Sequence, residues 1–586
     1  VDGVRKPAHK GEPNVDNRRL AAVLRRIADL LDIEGDNPFR ANAYRRAAQA
    51  IETCRQPVAE LPDVTVLPGV GKGVAAVVEE LVTTGRSALL EELEAKIPSG
   101  LLALLRIPGL GPKKVGVLYR ELGVASLADL EKALDEQRVR SLPGFGAKTE
   151  QNLRRALRAA GQRPERLPLA YVLPVAAAIE QYLARQEAIV RFSRAGSLRR
   201  WKETVKDLDF VVATALPDEA ADALAAMPGV ARVIAKGPTK VSVELDLMWP
   251  VTVDFRLVPP ESFASALHHF TGSAEHHVRL RQRAKARGLK LSEYGAEATE
   301  SGRLTAFATE EALYAALDLP YIPPELREGE EEIEAAEAGW LPHLVEEADV
   351  RGDLHLHTTW SDGGNTLEEM AEAARRRGYA YIAVTDHSQS LKIAGGLSPK
   401  ELAAQREAIA DLNKRWDDFA VLTGVEMDIL PDGRLDYPDD VLKELDVVIG
   451  SIHQRFRQDE DTLTKRIIGA IENNHVDIIA HPTGRLIARR DPYPLNLDAV
   501  FEAARETGTA LELNSNPNRL DLKPEHLRRA KALGVPIAVN SDAHSVAELD
   551  NMRVGIGTAR RGWLEKQDIL NTRPLDALLA YLRRND

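Results

Sequence analysis

The chain has 586 residues, of which 44% are hydrophobic and 28% charged, with a formal net charge of −12. At roughly 150 residues per domain that length predicts about three to five domains, each with enough apolar material for its own core. One cysteine, Cys54, excludes a disulfide framework and cysteine-rich zinc sites. The longest strongly apolar run, near 167–179, contains Pro168 and Pro174 and is too short to span a bilayer. The N-terminal VDGVRKPAHKGEP lacks the apolar stretch of a signal peptide, so an intracellular, cytoplasmic protein is expected.

Residues 16–165 read as helical, beginning with the 3.6-residue apolar spacing of LAAVLRRIADLLD. Three Gly-bracketed turns recur within this stretch: LPGVG at 67–71, IPGLG at 107–111 and LPGFG at 142–146. A Pro-Gly-x-Gly turn before a helix lines up backbone N–H groups that can hold a phosphate. The second glycine leaves room for close approach of a nucleic-acid backbone. Gly69 and Gly71, Gly109 and Gly111, and Gly144 and Gly146 are the candidate contacts, with Lys72, Lys113, Lys114 and Lys148 supplying charge. Although the whole chain is acidic, residues 101–163 carry twelve Lys/Arg against six Asp/Glu, a local basic patch suited to DNA. The turns resemble helix–hairpin–helix motifs, which position a duplex without reading its sequence.

Residues 166–262 change to mixed α/β, with LDFVVAT and VTVDFRLV as strands. Asp207 and Asp209 sit in KDLDF, two residues apart and so on one face of a strand, and Asp254 follows on a second strand. Carboxylates aimed together repel unless a cation lies between them, and hard oxygen donors suit Mg²⁺ or Mn²⁺ with phosphates. Gly196 and Ser197 stand upstream in AGSLRR, where they could wrap a triphosphate paired with Arg200. Residues 263–325 return to helix with a small mixed tail. Residues 326–349, with nine acids against one base, read as a linker with a charged face toward solvent.

From residue 350, short apolar strands (IAVTD, VVIGSIH, IIAHP, ALELN, IAVNSD) alternate with helical stretches, the pattern of a parallel barrel or open sheet. Polar residues gather at the strand C-termini: His355 and His357 in DLHLH, Asp362 in WSDG, His387 in TDH, Glu426 in TGVE, His453 in SIH, His481 in AHP, and Asp542 and His544 in NSDAH. Nine imidazoles and carboxylates at successive strand ends are hard to accommodate as packing, because each buried polar group needs a partner. They read as a metal centre. His475 and His526 fall outside the motifs, on expected solvated helices, and carry no assigned role.

Together these features resemble the bacterial family X DNA polymerases that carry a C-terminal polymerase-and-histidinol-phosphatase (PHP) domain. The aspartate strands, the stretch over 32–52 and the segment FTGSAEHHVRLRQRAKARGLKLSEYG (270–295) carry the polymerase resemblance, and the histidine motifs carry the other. The resemblance implies a multidomain chain: a tail (1–15), a helical helix–hairpin–helix domain (16–97) and a second such domain (98–165). An α/β nucleotidyltransferase palm (166–262), a small thumb (263–325), the acidic linker (326–349) and a distorted (β/α)₇ PHP barrel (350–586) follow. It implies that Asp207 and Asp209 bind both palm metals (Mg²⁺ or Mn²⁺). Asp254 would bind the catalytic one and help deprotonate a primer 3′-OH. Gly196, Ser197, Arg200 and Gly272 would contact the incoming dNTP. In the barrel it implies three ions, Mn²⁺ or Zn²⁺: one on His355, His357, Glu426 and Asp542, one on Glu426, His453 and His481, one on Asp362, His387 and His544. Arg485 and Arg519 are candidate phosphate clamps or plain surface arginines. The implied activity is gap-filling DNA synthesis with a Mn²⁺-dependent 3′–5′ exonuclease, in a monomer that works on gapped, nicked or primer–template DNA at the nucleoid. Two alternatives are a nuclease that uses a weak polymerase half as a clamp, and a small-molecule phosphatase. Three positions depart from the family: His269 replaces a Tyr that lines the sugar pocket, His277 stands where relatives often carry Asn near the incoming base, and Val77 replaces the Schiff-base Lys of lyase-active relatives.

Overall fold

In the computed structural model, residues 17–583 are described, apart from 36–37, 53, 55–57, 62, 68, 99, 106, 108–109 and 162–163. The expected tail at 1–15 and the hairpin residue Gly109 therefore lie outside the described residues. Contacts divide the chain at Pro164/Glu165 into two compact units.

The first unit is all-helical. Leu20, Leu24, Ile27 and Leu31 recur on one face of helix Asn17–Glu34 and are fully buried, as their spacing predicts. Each glycine-bracketed turn closes with the same i→i+3 bond: Val70 N to Leu67 O, Leu110 N to Ile107 O and Phe145 N to Leu142 O. Gly69 and Gly144 take left-handed φ values of 80° and 78°, which a side chain would disfavour. Gly71 and Gly111 then cap helices Lys72–Thr84 and Pro112–Leu122, and Gly146 precedes helix Ala147–Gly161. Val77 is buried in the core of this unit, with no amine in its place.

The second unit holds two sheets that carry function. A five-stranded sheet has the order Arg191–Arg194, Leu208–Ala213, Val251–Val258, Lys240–Leu245, Val230–Lys236, with one parallel pair between the second and third. That pair places Asp209 directly beside Asp254. Helices Phe263–Thr271 and Ala274–Ala286 and a small three-stranded sheet follow.

Seven further strands, from Gly352–Leu356 to Ile537–Asn540, pair in sequence order and are all parallel. The last folds back to the first: His357 N donates to Ala543 O at 2.9 Å and Asp542 N to His355 O at 3.0 Å, so the sheet is nearly closed into a barrel. Closure brings all seven strand C-termini to one end, where parallel barrels place their chemistry.

The acidic segment 326–349 is not a solvated linker. Arg327 is fully buried, with Nη1 2.7 Å from Glu310, and Glu332 is buried with its carboxylate 2.6 Å from His276 Nδ1. Ile333, Ala335 and Ala336 share an apolar cluster with Trp563 of the barrel side. The physical reason is pairing: the buried acids meet buried bases, and the apolar residues interspersed among them take the core face. Arg327→Ala is expected to destabilise this unit by about 3 kcal/mol, because it leaves Glu310 short of a buried partner. Urea unfolding of wild type and variant checks it.

Candidate metal centres

In the barrel, one carboxylate is the meeting point. Glu426 lies two residues before the end of the inner strand Ala420–Asp428 and is 2% exposed. Its Oε1 lies 3.1 Å from His453 Nε2 and 3.0 Å from His481 Nε2. Its Oε2 lies 2.9 Å from His387 Nδ1 and 3.5 Å from both His355 Nε2 and His357 Nε2. Asp542 Oδ1 sits 3.2 Å from His357 Nε2, and Asp362 Oδ1 lies 3.5 Å from the Nε2 atoms of His387 and His544. All nine sequence-predicted ligands are thus brought together. Three sets lie close enough to share a cation: His357–Asp362–His387–His544, His355–His357–Asp542 and His387–Glu426–His453. His357 joins the set around Asp362, a position the sequence did not assign it.

The donor set fits metal. His355 Nε2 and His357 Nε2 face each other at 3.3 Å, an awkward approach for two nitrogens unless a proton or cation is shared. The buried His357 Nδ1 and His481 Nδ1 have no hydrogen-bond partner. Burial favours neutral rings, yet the Glu426 charge raises His387 to about 10 and His453 to about 9. Burial likewise opposes the charge on His544, but Asp362 raises it to about 9. Glu426 and Asp362 thus favour positive charge at these three rings.

Further residues hold these ligands, and sequence reasoning missed them. Glu512, fully buried on strand Ala510–Asn514, accepts from His355 Nδ1 at 2.7 Å and from His481 N at 2.7 Å. Asp428 accepts from His453 Nδ1 at 3.0 Å. Asp386 accepts from Thr358 N and Ser361 N beside the Asp362 loop. A carboxylate on one ring nitrogen leaves the other for the metal and fixes the ring's direction. The available signal was an acid inside an otherwise apolar inner strand, as in ALELN, or beside a ligand, as in TDH. Arg519 Nε lies 3.8 Å from Asp542 Oδ2, at the site. Arg485 does not stand free as a clamp or on the surface: it is buried, and its Nη2 donates to Glu203 and to Leu520 O. His475 lies in a turn rather than on a helix, and His526 is half-buried on helix Pro524–Leu533.

The palm centre is more open. Gly196 adopts φ 57°, and a Cβ there would overlap the Asp209 carboxylate, whose Cγ would be 3.1 Å away. Burial and the neighbouring charges of Asp207 and Asp254 push Asp209 up to about 7. Asp254 is already engaged, accepting from Ser242 Oγ at 2.6 Å and pairing with Lys240 Nζ at 2.8 Å. Among the described residues the close ligand sets are those of the barrel; the palm aspartates converge more loosely, with Lys240 holding one of them. All three donors are carboxylates, a set that suits a hard cation.

Beside them, Ser197 follows Gly196 on the short helix Gly196–Arg199, and Arg200 donates through Nη1 to Thr271 O while Nε meets Glu328 at 3.2 Å. Gly272 has φ 73°, and a Cβ on it would press on that guanidinium at 2.9 Å. His277 Nε2–H donates to His269 O at 2.6 Å, and burial pushes His277 down to about 3, so the ring is neutral. In the first unit, Lys72, Lys113 and Lys148 are exposed, and Lys114 lies 5.6 Å over the Phe145 ring. Around Gly71, Gly111, Gly144 and Gly146 an added Cβ would meet open space, so the turn backbones face outward.

A parallel barrel with a histidine–carboxylate centre, joined to a palm with paired aspartates, defines a two-centre phosphoryl-transfer protein. Residues 15–87 match a helix-hairpin-helix domain, 101–159 a SAM-like helix-hairpin-helix tandem, 266–328 the DNA polymerase beta thumb and 353–516 the PHP domain. The DNA polymerase/3′-5′ exonuclease PolX of Bacillus subtilis (strain 168) is 49% identical over 567 residues, 97% of this chain and 99% of that protein. A probable phosphatase of Thermoanaerobacter sp. (strain X514) is 32% identical over 231 residues, 38% of this chain and 89% of that protein. The chain belongs to the PolX family of DNA polymerase/3′-5′ exonucleases. No helix among the described residues is long and apolar enough to cross a membrane.

Glu512→Gln is expected to lower metal affinity of the barrel about 10- to 100-fold while the protein stays folded, read by metal content after dialysis against graded Mn²⁺. Because protons hold His387, His453 and His544 in the metal-free state, cations must displace them. Apparent Mn²⁺ affinity should therefore fall as pH drops from 8 to 6, about tenfold per unit for each proton displaced. Mn²⁺ titrations in weak buffer, with proton release followed by an indicator dye, measure it.

Proposed function

We propose that the chain fills short gaps in DNA through its palm and trims 3′ ends through its barrel, as a repair enzyme. The observation that carries the reading is the in-register pair Asp209/Asp254, backed by Gly196, in the same compact unit as nine ligands gathered around Glu426. The Bacillus relative, named a DNA polymerase/3′-5′ exonuclease and similar over nearly the whole chain, supports it. The outward-facing hairpin backbones and nearby lysines suit phosphate contacts to gapped, nicked or primer–template DNA.

In synthesis, Asp207, Asp209 and Asp254 hold divalent cations, Mg²⁺ or Mn²⁺. Ser197, Arg200 and the backbone at Gly196 and Gly272 hold the triphosphate of a dNTP. The primer 3′ oxygen attacks the α-phosphorus while the bond to pyrophosphate breaks, and Asp254 takes the 3′-OH proton. In trimming, a water oxygen attacks the phosphorus between the last two nucleotides and the 3′ oxygen leaves with a proton, releasing a nucleoside 5′-monophosphate. The nine barrel residues hold up to three ions, Mn²⁺ or Zn²⁺, with Asp362 favouring Mn²⁺. Bound cations supply phosphoryl polarisation and a more acidic water. Arg519, beside Asp542, is placed to meet a phosphate, and Val77 leaves the first hairpin without a Schiff-base amine. His269, on the sugar side of the incoming nucleotide, and His277, near its base, are coupled through one hydrogen bond.

A 5′-labelled primer on gapped DNA with Mn²⁺, with and without dNTPs, tests the assignment. Asp207→Ala/Asp209→Ala should lose extension and keep degradation, and His355→Ala/His357→Ala should do the reverse. Each affected activity should drop by at least about a thousandfold, since metal ligands supply most of the transition-state stabilisation. Degradation that survives loss of both histidines would remove the barrel from the nuclease reaction. The barrel's likeness to probable phosphatases makes a 3′-phosphate a second substrate to include.

A further inference from the structure

The loop that carries Arg200 is seated on the nuclease barrel. Trp201, next in sequence, has a left-handed φ of 55°, uncommon for a bulky residue and retained only where surroundings hold it. Its indole lies on Gly557, a buried residue in helix Met552–Arg561 of the barrel side. A Cβ at Gly557 would come within 2.8 Å of Cγ, Cδ2 and Cε2 of that indole. Val554, one turn earlier, and Leu520 from a barrel loop belong to the palm's own apolar core. Around the indole the polar groups also cross over: Glu203 meets Arg485 at 2.7 Å, and Arg561 reaches Trp201 O at 3.5 Å and Glu328 at 3.8 Å. Glu328 is in turn the partner of Arg200 and Lys202.

The loop transmits this seat to the triphosphate side. Trp201 N donates to Leu198 O at 3.1 Å and Lys202 N to Ser197 O at 3.0 Å, so Ser197, Arg200 and Trp201 belong to one hydrogen-bonded turn. We propose that Gly557 and Trp201 form a positioning contact for nucleotidyl transfer, through which the nuclease barrel sets the geometry of the palm's triphosphate loop. The proposal rests on the reading of Gly196–Arg200 as that loop. Gly557 is none of the nine barrel ligands, and the atoms nearest to an added Cβ all belong to the Trp201 indole, so its role is toward the palm. Gly555, two residues earlier, faces the other way, where a Cβ would meet Ser515 of the barrel. The two glycines of VGIG thus let one helix pack closely against both halves.

Full-length Gly557→Ala, Trp201→Ala and the double variant are compared with wild type on one-nucleotide-gapped DNA, with nuclease measured on single-stranded DNA. Each single change should raise KM for the complementary dNTP about tenfold, with kcat less affected, because a small displacement of positioning groups has effects of that order. The double variant should be no worse than Trp201→Ala, since both changes remove one contact. Nuclease rate and metal content should stay at wild-type values. Trp201→Phe, which trims the indole without adding an atom against the helix, should show the same rise in KM if Gly557→Ala folds poorly. An unchanged KM in Gly557→Ala and Trp201→Phe, or additive effects in the double variant, would overturn the inference and leave the polymerase reading standing. A parallel fall of extension, nuclease and thermal midpoint in all variants would reduce the contact to scaffolding. Absence of dNTP-dependent extension in wild type would instead defeat the polymerase reading itself.

Discussion

A buried carboxylate surrounded by imidazoles organises the C-terminal half. Glu426 is out of water, and an isolated charge there would be prohibitively costly. Five rings surround it, and its charge favours the protonated form of His387 and His453 among them. The rings come from four strand ends, His355 and His357 from one and His387, His453 and His481 from three others, so the arrangement exists only because the sheet closes. The carboxylates behind the rings, Glu512 and Asp428, set which nitrogen points inward.

The palm depends on a weaker version of the same constraint. Burial and the charges of Asp207 and Asp254 raise the cost of ionising Asp209, which holds its proton to about 7. Lys240 and Ser242 relieve Asp254 from the neighbouring strand. A cation that enters must share Asp254 with that lysine, which distinguishes this centre from the barrel's preassembled one.

The two centres are not carried on independently movable parts. Barrel residues Leu520 and Val554 complete the palm core, and Trp563 joins the thumb cluster. The acidic segment between thumb and barrel is pinned by Arg327–Glu310 and His276–Glu332. A 3′ end that passes between the centres therefore moves across a continuous body rather than being carried by a swinging linker.

Much of this was legible in the residues alone. Spacing of two on a strand, Pro-Gly-x-Gly before a helix, and polar residues at the ends of apolar strands are local patterns, and local geometry maps them onto turns and strand ends without further information. The nine barrel residues that gather around Glu426 and the palm aspartates could be singled out for that reason. What the tertiary structure decided is how those residues meet. The place of His357 beside Asp362, the second-row role of Glu512, and the burial of Arg327 and Glu332 in a stretch that reads as charged all depend on pairings between residues distant in sequence. The seat of Trp201 on Gly557 is of the same kind, separated by more than half the chain. No periodicity records such contacts, because a buried charge and an exposed one are the same letter until a partner arrives by folding.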